Sequence, residues 1–168
     1  MKYIEANLTP NETILAHARV HWFVFVSGVV TGLVGSVFLF LTWDLAPGKP
    51  PNAGPYLIFG VVGSWLIIVA VYKLLRAWLR VRFTELAVTS QRVVAKFGWI
   101  GRRTVELNHN MVESITVYQG LMGRVFNFGT LTIRGTGGGQ TPVPTIAHPL
   151  EFRKVVTEQI TRASGVEP

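Results

Sequence analysis

His17 and His21 stand four residues apart, the spacing of half a zinc site when both rings sit on one helix face. The residues between them are Ala18, Arg19 and Val20. They supply no glutamate base, and Arg19 disfavours a second cation nearby. The pair reads as two polar aromatics at an interface. His109 and His148 are isolated in sequence. Glu106 and Glu113 fall in or beside strand-like segments and read as solvated or salt-bridged carboxylates. Gly135-Thr136-Gly137-Gly138-Gly139-Gln140-Thr141 lacks the lysine of a phosphate loop and lies between strands, so it reads as a hairpin tip. Ser64 and Ser114 have no recognisable catalytic partner, and no Gly-x-Ser-x-Gly element occurs. Cysteine is absent and Asp44 is the single Asp. The residue inventory therefore leads us to expect no catalytic residue, metal site, cofactor or small-molecule substrate.

The remaining reactive chemistry is basic. Arg92 and Lys96 fall on one face of a strand, and Arg102 and Arg103 open the next strand across a turn. Together they are expected to form a basic edge. With Arg124 and Phe126 they are the candidate contacts to a protein partner or to lipid. Leu121, Met122, Val125, Phe126 and Phe128 are expected to pack beneath a helix, with a partner surface as the alternative. The basic residues are too dispersed for a nucleic-acid face.

These residues hang on an unusual frame. The 168 residues are 49% hydrophobic and only 15% charged, with a net charge of +7. From Val20 to Trp43 no Asp, Glu, Lys or Arg occurs. As a helix these residues would reach about 36 Å, enough to cross a hydrocarbon core. A second uncharged run extends from Pro50 to Tyr72, apolar from Tyr56 onward. Trp22 and Trp43, then Tyr56 and Tyr72, stand where interfacial aromatic anchors belong. The reading is a two-helix transmembrane hairpin: residues 1–19 as an N-terminal segment, 20–43 as the first span, 44–55 as an outer loop and 56–76 as the second span. A basic linker, 77–83, leads to a domain at 84–168. Lys73, Arg76, Arg80 and Arg82 follow the second uncharged run, whereas the loop carries Lys49 alone, which predicts cytoplasmic termini. The first span is too long for a signal core, and its flank holds Glu5 and Glu12 with only two basic residues, Lys2 and Arg19. Gly28, Gly32 and Ser36 on the first span, and Gly60 and Ser64 on the second, are the expected packing positions; Gly35 and Gly63 lie among them. They serve either the two helices of one hairpin or hairpins of different chains.

Beyond Arg82 the hydrophobic period changes to two. Thr84–Val88, Arg92–Phe97, Arg103–Leu107, Ile115–Tyr118, Thr130–Arg134 and Gln140–Ile146 read as strands, with Pro142 and Pro144 confining the last to an edge. Pro149, Glu151 and the apolar series Phe152, Val155, Val156, Ile160 predict a closing helix, stopped by Gly165.

Particular stretches carry a resemblance. They are Asn7-Leu8-Thr9-Pro10-Asn11-Glu12, His21-Trp22-Phe23, Thr84 to Val93 with its Thr89-Ser90-Gln91-Arg92 turn, Gly98 to Gly101, Glu113 to Val117, and Gly123 to Leu131. Over nearly the whole chain the sequence resembles the bacterial membrane-flanked domain family with a pleckstrin-homology-like fold. The resemblance implies a split β-barrel of six or seven antiparallel strands capped by a C-terminal helix. It implies no catalytic residues. The expected role is a non-enzymatic adaptor or scaffold in the bacterial inner membrane, binding a protein partner or a second copy. An anionic-lipid sensor and an accessory subunit of a larger membrane complex stand as alternatives. A transporter is disfavoured, because neither span carries an ionisable residue in its core.

Overall fold

The computed structural model describes residues 4, 7–44, 54–98 and 103–163. Two compact units emerge: Trp22–Leu79, and Met1–His21 together with Arg80–Pro168.

The first unit is helical. A 3-10 turn over Trp22–Phe25 leads into α1 (Val26–Asp44), and α2 covers Gly54–Phe83. The expected linker 77–83 is thus helical, because Ala77–Phe83 holds no helix breaker and continues the α2 pattern. At 30 residues α2 is about 45 Å long. Two helical stretches are long and apolar enough to cross a membrane: Trp22–Trp43, which joins the 3-10 turn to α1, and Leu57–Phe83 within α2. A soluble core helix would bury such a sequence, but here Leu33, Phe40, Leu57, Val61, Trp65 and Ile68 all face outward.

Glycines set the approach of the two helices. A Cβ on Gly35 would meet the Gly63 carbonyl oxygen at 3.1 Å, and one on Gly63 would meet Leu39 at 2.9 Å. Gly28 lies against Leu74 and Gly32 against Ala70, so the helices run antiparallel in a fixed register. Phe38 and Phe59 meet edge to face at 5.9 Å. Of the expected packing positions, Gly28 and Gly32 line this seam, and Gly60 borders it beside Thr42. Ser36 and Ser64 do not: they are exposed, and their hydroxyls donate to the Gly32 and Gly60 carbonyls one turn back. Gly35 and Gly63 face each other across the seam instead, a Cβ on either lying 3.1 Å from the other's carbonyl oxygen.

The second unit is a pair of antiparallel sheets. One has the order β1-β2-β3-β4 and the other β5-β6-β7. The strands are β1 (Ile14–Ala18), β2 (Glu85–Thr89), β3 (Arg92–Phe97), β4 (Arg103–Asn108), β5 (Val112–Tyr118), β6 (Phe128–Gly135) and β7 (Gln140–Ala147). A one-turn helix α3 (Leu121–Val125) links β5 to β6, and α4 (Pro149–Ala163) follows β7. Leu86, Val88, Val93, Leu131, Ile133, Val143 and Ile146 meet between the sheets, and Phe152 and Val156 of α4 close over them. β7 is an edge strand, as its prolines require. Gly165 lies outside the described residues.

The N-terminal segment departs from expectation. Residues read as a flank form β1, which pairs with β2. Just beyond, the Ala147 amide donates to the Arg19 carbonyl at 2.8 Å and the His21 amide to the Thr145 carbonyl at 2.7 Å. Residues 14–21 therefore bond to one sheet at their start and to the other at their end. Ile4, with Leu8 and Ile14, also covers Ala87 and Val94 on the outer face of β2 and β3. This is why β2 is buried on both faces although its alternation predicts one. The two sheets are not closed into a continuous barrel: among the described residues, β4 ends its sheet without a further ladder.

Candidate functional site

Arg92 is the most engaged of the expected basic contacts. Its Nε and Nη2 donate to the two Glu12 carboxylate oxygens at 3.0 and 2.9 Å, a bidentate pair. Nη1 donates to Glu106 at 2.7 Å and Nη2 also to the Asn7 carbonyl. Thr89 Oγ1 donates to Glu12 at 2.6 Å, and the Thr9 amide and hydroxyl complete the carboxylate's shell. Burial alone would raise the Glu12 pKa, but the hydrogen bonds from Arg92, Thr89 and Thr9 outweigh it and lower it from 4.5 to about 2. The space beside this network is about 10 Å³, room for a water at most. Arg92 is thus a latch for the N-terminal segment. Its guanidinium is not offered to an outside ligand, which corrects its place in the expected basic edge. Glu106 is salt-bridged, as expected, and Glu113 is exposed.

Lys96 faces Glu85 across the β2–β3 ladder and Thr104 across β3–β4. Arg103 opens β4, and Arg102 lies outside the described residues. His17 sits in β1, and the chain from there to His21 is extended, not helical. Four residues of extended chain separate the rings by about 13 Å, too far for one metal ion. His109 is buried, and its Nε2 donates to the Thr89 carbonyl at 2.9 Å, tying the β4–β5 connection to β2.

On the hairpin, Lys73, Arg76 and Arg80 recur at helical spacing along one side of α2, while Arg82 projects to the other. Lys73 Nζ donates to Thr31 Oγ1 at 2.9 Å and Arg76 Nη1 to the Tyr72 hydroxyl at 3.2 Å. Thr31 lies well inside the uncharged run of α1, so the basic residues begin deeper along the hairpin than the sequence suggests. Trp22, Trp43 and Tyr72 are exposed; the side chain of Tyr56 lies outside the described ones.

Among the described residues, two surfaces of the sheet unit stand open to a partner. The first is a groove of about 340 Å³ between β4 and the β6–β7 tip. Val105, Leu107 and Met111 give it an apolar floor, and Gly135, Thr136, Gly137 and Gln140 form its rim. The glycine-rich segment is a hairpin tip, with the Gly138 amide bonded to the Gly135 carbonyl and Gly138 at φ +75°. The second surface is the α3 turn. Leu121, Met122, Val125 and Phe126 were expected beneath a helix, but all are exposed, with Arg124 among them. α4 covers the inter-sheet core instead, and Phe128 is half-buried.

The sequence readings missed Glu12, because its partner lies 80 positions away. They also missed the groove, which forms only when two sheets meet.

A family model described as bacterial PH domain matches residues 20–160. No curated protein and no solved structure matches the chain.

Proposed function

The chain belongs to the bacterial PH domain family, and from that premise we propose that it is a non-enzymatic adaptor anchored in the bacterial inner membrane. Its hairpin would span the bilayer with both termini in the cytoplasm. Its sheet unit would dock an extended segment of a protein partner. The groove beside β4 carries this reading. Backbone groups on an edge strand can extend a sheet by one strand, while neighbouring apolar pockets select alternate side chains. Here an edge strand, the apolar floor of Val105, Leu107 and Met111, and a rim of glycines with Thr136 and Gln140 lie together. Exposed apolar faces on both long helices support membrane insertion, and basic Lys73, Arg76, Arg80 and Arg82 support the inward orientation. A hairpin anchor would raise the effective concentration toward membrane partners.

A photo-crosslinking residue at Met111 in native membranes tests this reading. A discrete protein adduct is expected there and not at exposed Thr157 on α4. The same adduct should disappear when Leu107→Asp places a charge on the groove floor. Equal, diffuse adducts at both positions would refute the groove as a docking site.

A second reading, recognition of anionic headgroups, is supported by the shared side of Lys73, Arg76 and Arg80. It requires association with the surrounding lipid to weaken as salt rises.

A further inference from the structure

The α3 turn is apolar where a soluble surface would be polar. Leu121 is 81% exposed and Val125 76%, with Tyr118, Met122 and Phe126 beside them. Such a cluster on a small domain marks an interaction surface. It is held rigidly. The Arg124 amide donates to the Gly120 carbonyl at 3.0 Å and the Phe126 amide to Met122 at 3.0 Å. Gln119 Nε2 donates to the Phe128 carbonyl at 3.2 Å. A Cβ on Gly123 would lie 2.5 Å from that same oxygen, so only glycine lets the turn close. The side chains are therefore displayed by a built scaffold.

The location of the turn identifies its occupant. Phe128, three residues after α3, stacks on His21 with ring centroids 5.3 Å apart. His21 directly precedes Trp22, where the first apolar helical segment begins. The apolar turn thus adjoins the point at which the chain leaves the sheet unit for its anchor. The β6–β7 tip lies at the other end of β6, about 23 Å away by strand rise. Arg124 is the single charged residue between Glu113 and Arg134; the carboxylate brought to this end, Glu151, lies 3.4 Å from His148, which bonds to Asn127.

We propose that the α3 turn is a lipid-contact wedge. Leu121, Met122 and Val125 enter the interfacial zone of the cytoplasmic leaflet, and Arg124 reaches its phosphates. Apolar side chains beside a cation are the combination that binds this zone. This inference rests on the membrane-anchored reading, and its test separates the two.

The chain has no cysteine, so each introduced one is unique. Leu121→Cys, Val37→Cys and Gly137→Cys would each carry an environment-sensitive fluorophore. The full-length protein would be placed at one copy per nanodisc of phosphatidylethanolamine and phosphatidylglycerol. Position 37 reports the anchor, 121 the wedge and 137 the remote tip. The expected result is a blue-shifted emission at 37 and 121 that is lost when nitroxide-bearing lipid is included, with no change at 137. Quenching at 37 but not at 121 overturns the wedge and leaves the anchor standing. An unquenched label at 37 overturns the anchor, and the wedge with it. Shielding of 121 only when a second protein molecule is added also overturns the wedge, assigning the turn to a protein interface.

Discussion

At Glu12 one carboxylate decides whether the N-terminal segment stays on the sheet. Its side chain is fully buried, and Arg92, Thr89 and Thr9 supply its donors. Glu12→Gln should destabilise the sheet unit by about 2 kcal/mol, since it takes the charge out of a buried set of charge-assisted hydrogen bonds and leaves Arg92 with Glu106 as its one carboxylate partner among the described residues. Thermal unfolding of the full chain in mild detergent would read this loss. The pH dependence follows from the same group. Folding lowers its pKa from 4.5 to about 2, so the unfolded chain binds the proton more tightly. The associated stability is full above about pH 4.5 and is lost as pH falls through about 2. The Glu12→Gln protein should lack that component of acid sensitivity. Nothing near Glu12 in sequence announces this role. In the sequence Glu12 reads as one acid in the flank before the first span, and Arg92 as an outward-facing cation. The error has a physical origin: strand alternation says which face a side chain takes, but not what covers that face.

Strands β2 to β7 were legible because one buried face imposes a period of two, and α4 because its apolar series has a helical period. β1 was not, because Ile14–Ala18 directly precedes an apolar run and reads as its approach. Its pairing makes it indispensable. A fragment of residues 84–168 should fail to fold, showing no protected amides in hydrogen exchange. Adding residues 7–21 in trans, or fusing them to the fragment, should restore protection in β2 and β3. Within the hairpin, helix packing distinguishes glycines that sequence treats alike. Gly60→Ala should be neutral, because the new methyl would lie 3.7 Å from Thr42. Gly35→Ala should loosen the hairpin, because it meets the Gly63 carbonyl oxygen and Leu66 Cβ at 3.1 and 3.0 Å. The contrast would show as faster proteolysis of Gly35→Ala in detergent with unchanged cleavage of Gly60→Ala. The open α3 turn shows where hydrophobic pattern fails: Leu121, Met122 and Val125 look like core residues, yet their display depends on a glycine and a glutamine beside them.

Over the whole molecule, the +7 charge and sparse acids lead to an uneven layout rather than to a nucleic-acid surface. Before Phe83 the chain carries seven basic and three acidic residues, with the bases concentrated at the end of α2. The outward apolar faces of α1 and α2 cannot face water at low cost; at about 25 cal/mol per Å² their exposure would outweigh an ordinary fold's net stability. Both the groove reading and the wedge therefore require one arrangement: the hairpin across the bilayer and the sheet unit on its inner side. Cysteine labelling in intact bacterial cells tests that arrangement most directly. With a membrane-impermeant maleimide, Asn52→Cys in the outer loop should react in intact cells, and Gly137→Cys at the hairpin tip only after lysis. The protein should also stay with the membrane through an alkaline carbonate wash. Labelling of Gly137→Cys in intact cells, or release by carbonate, would contradict the account.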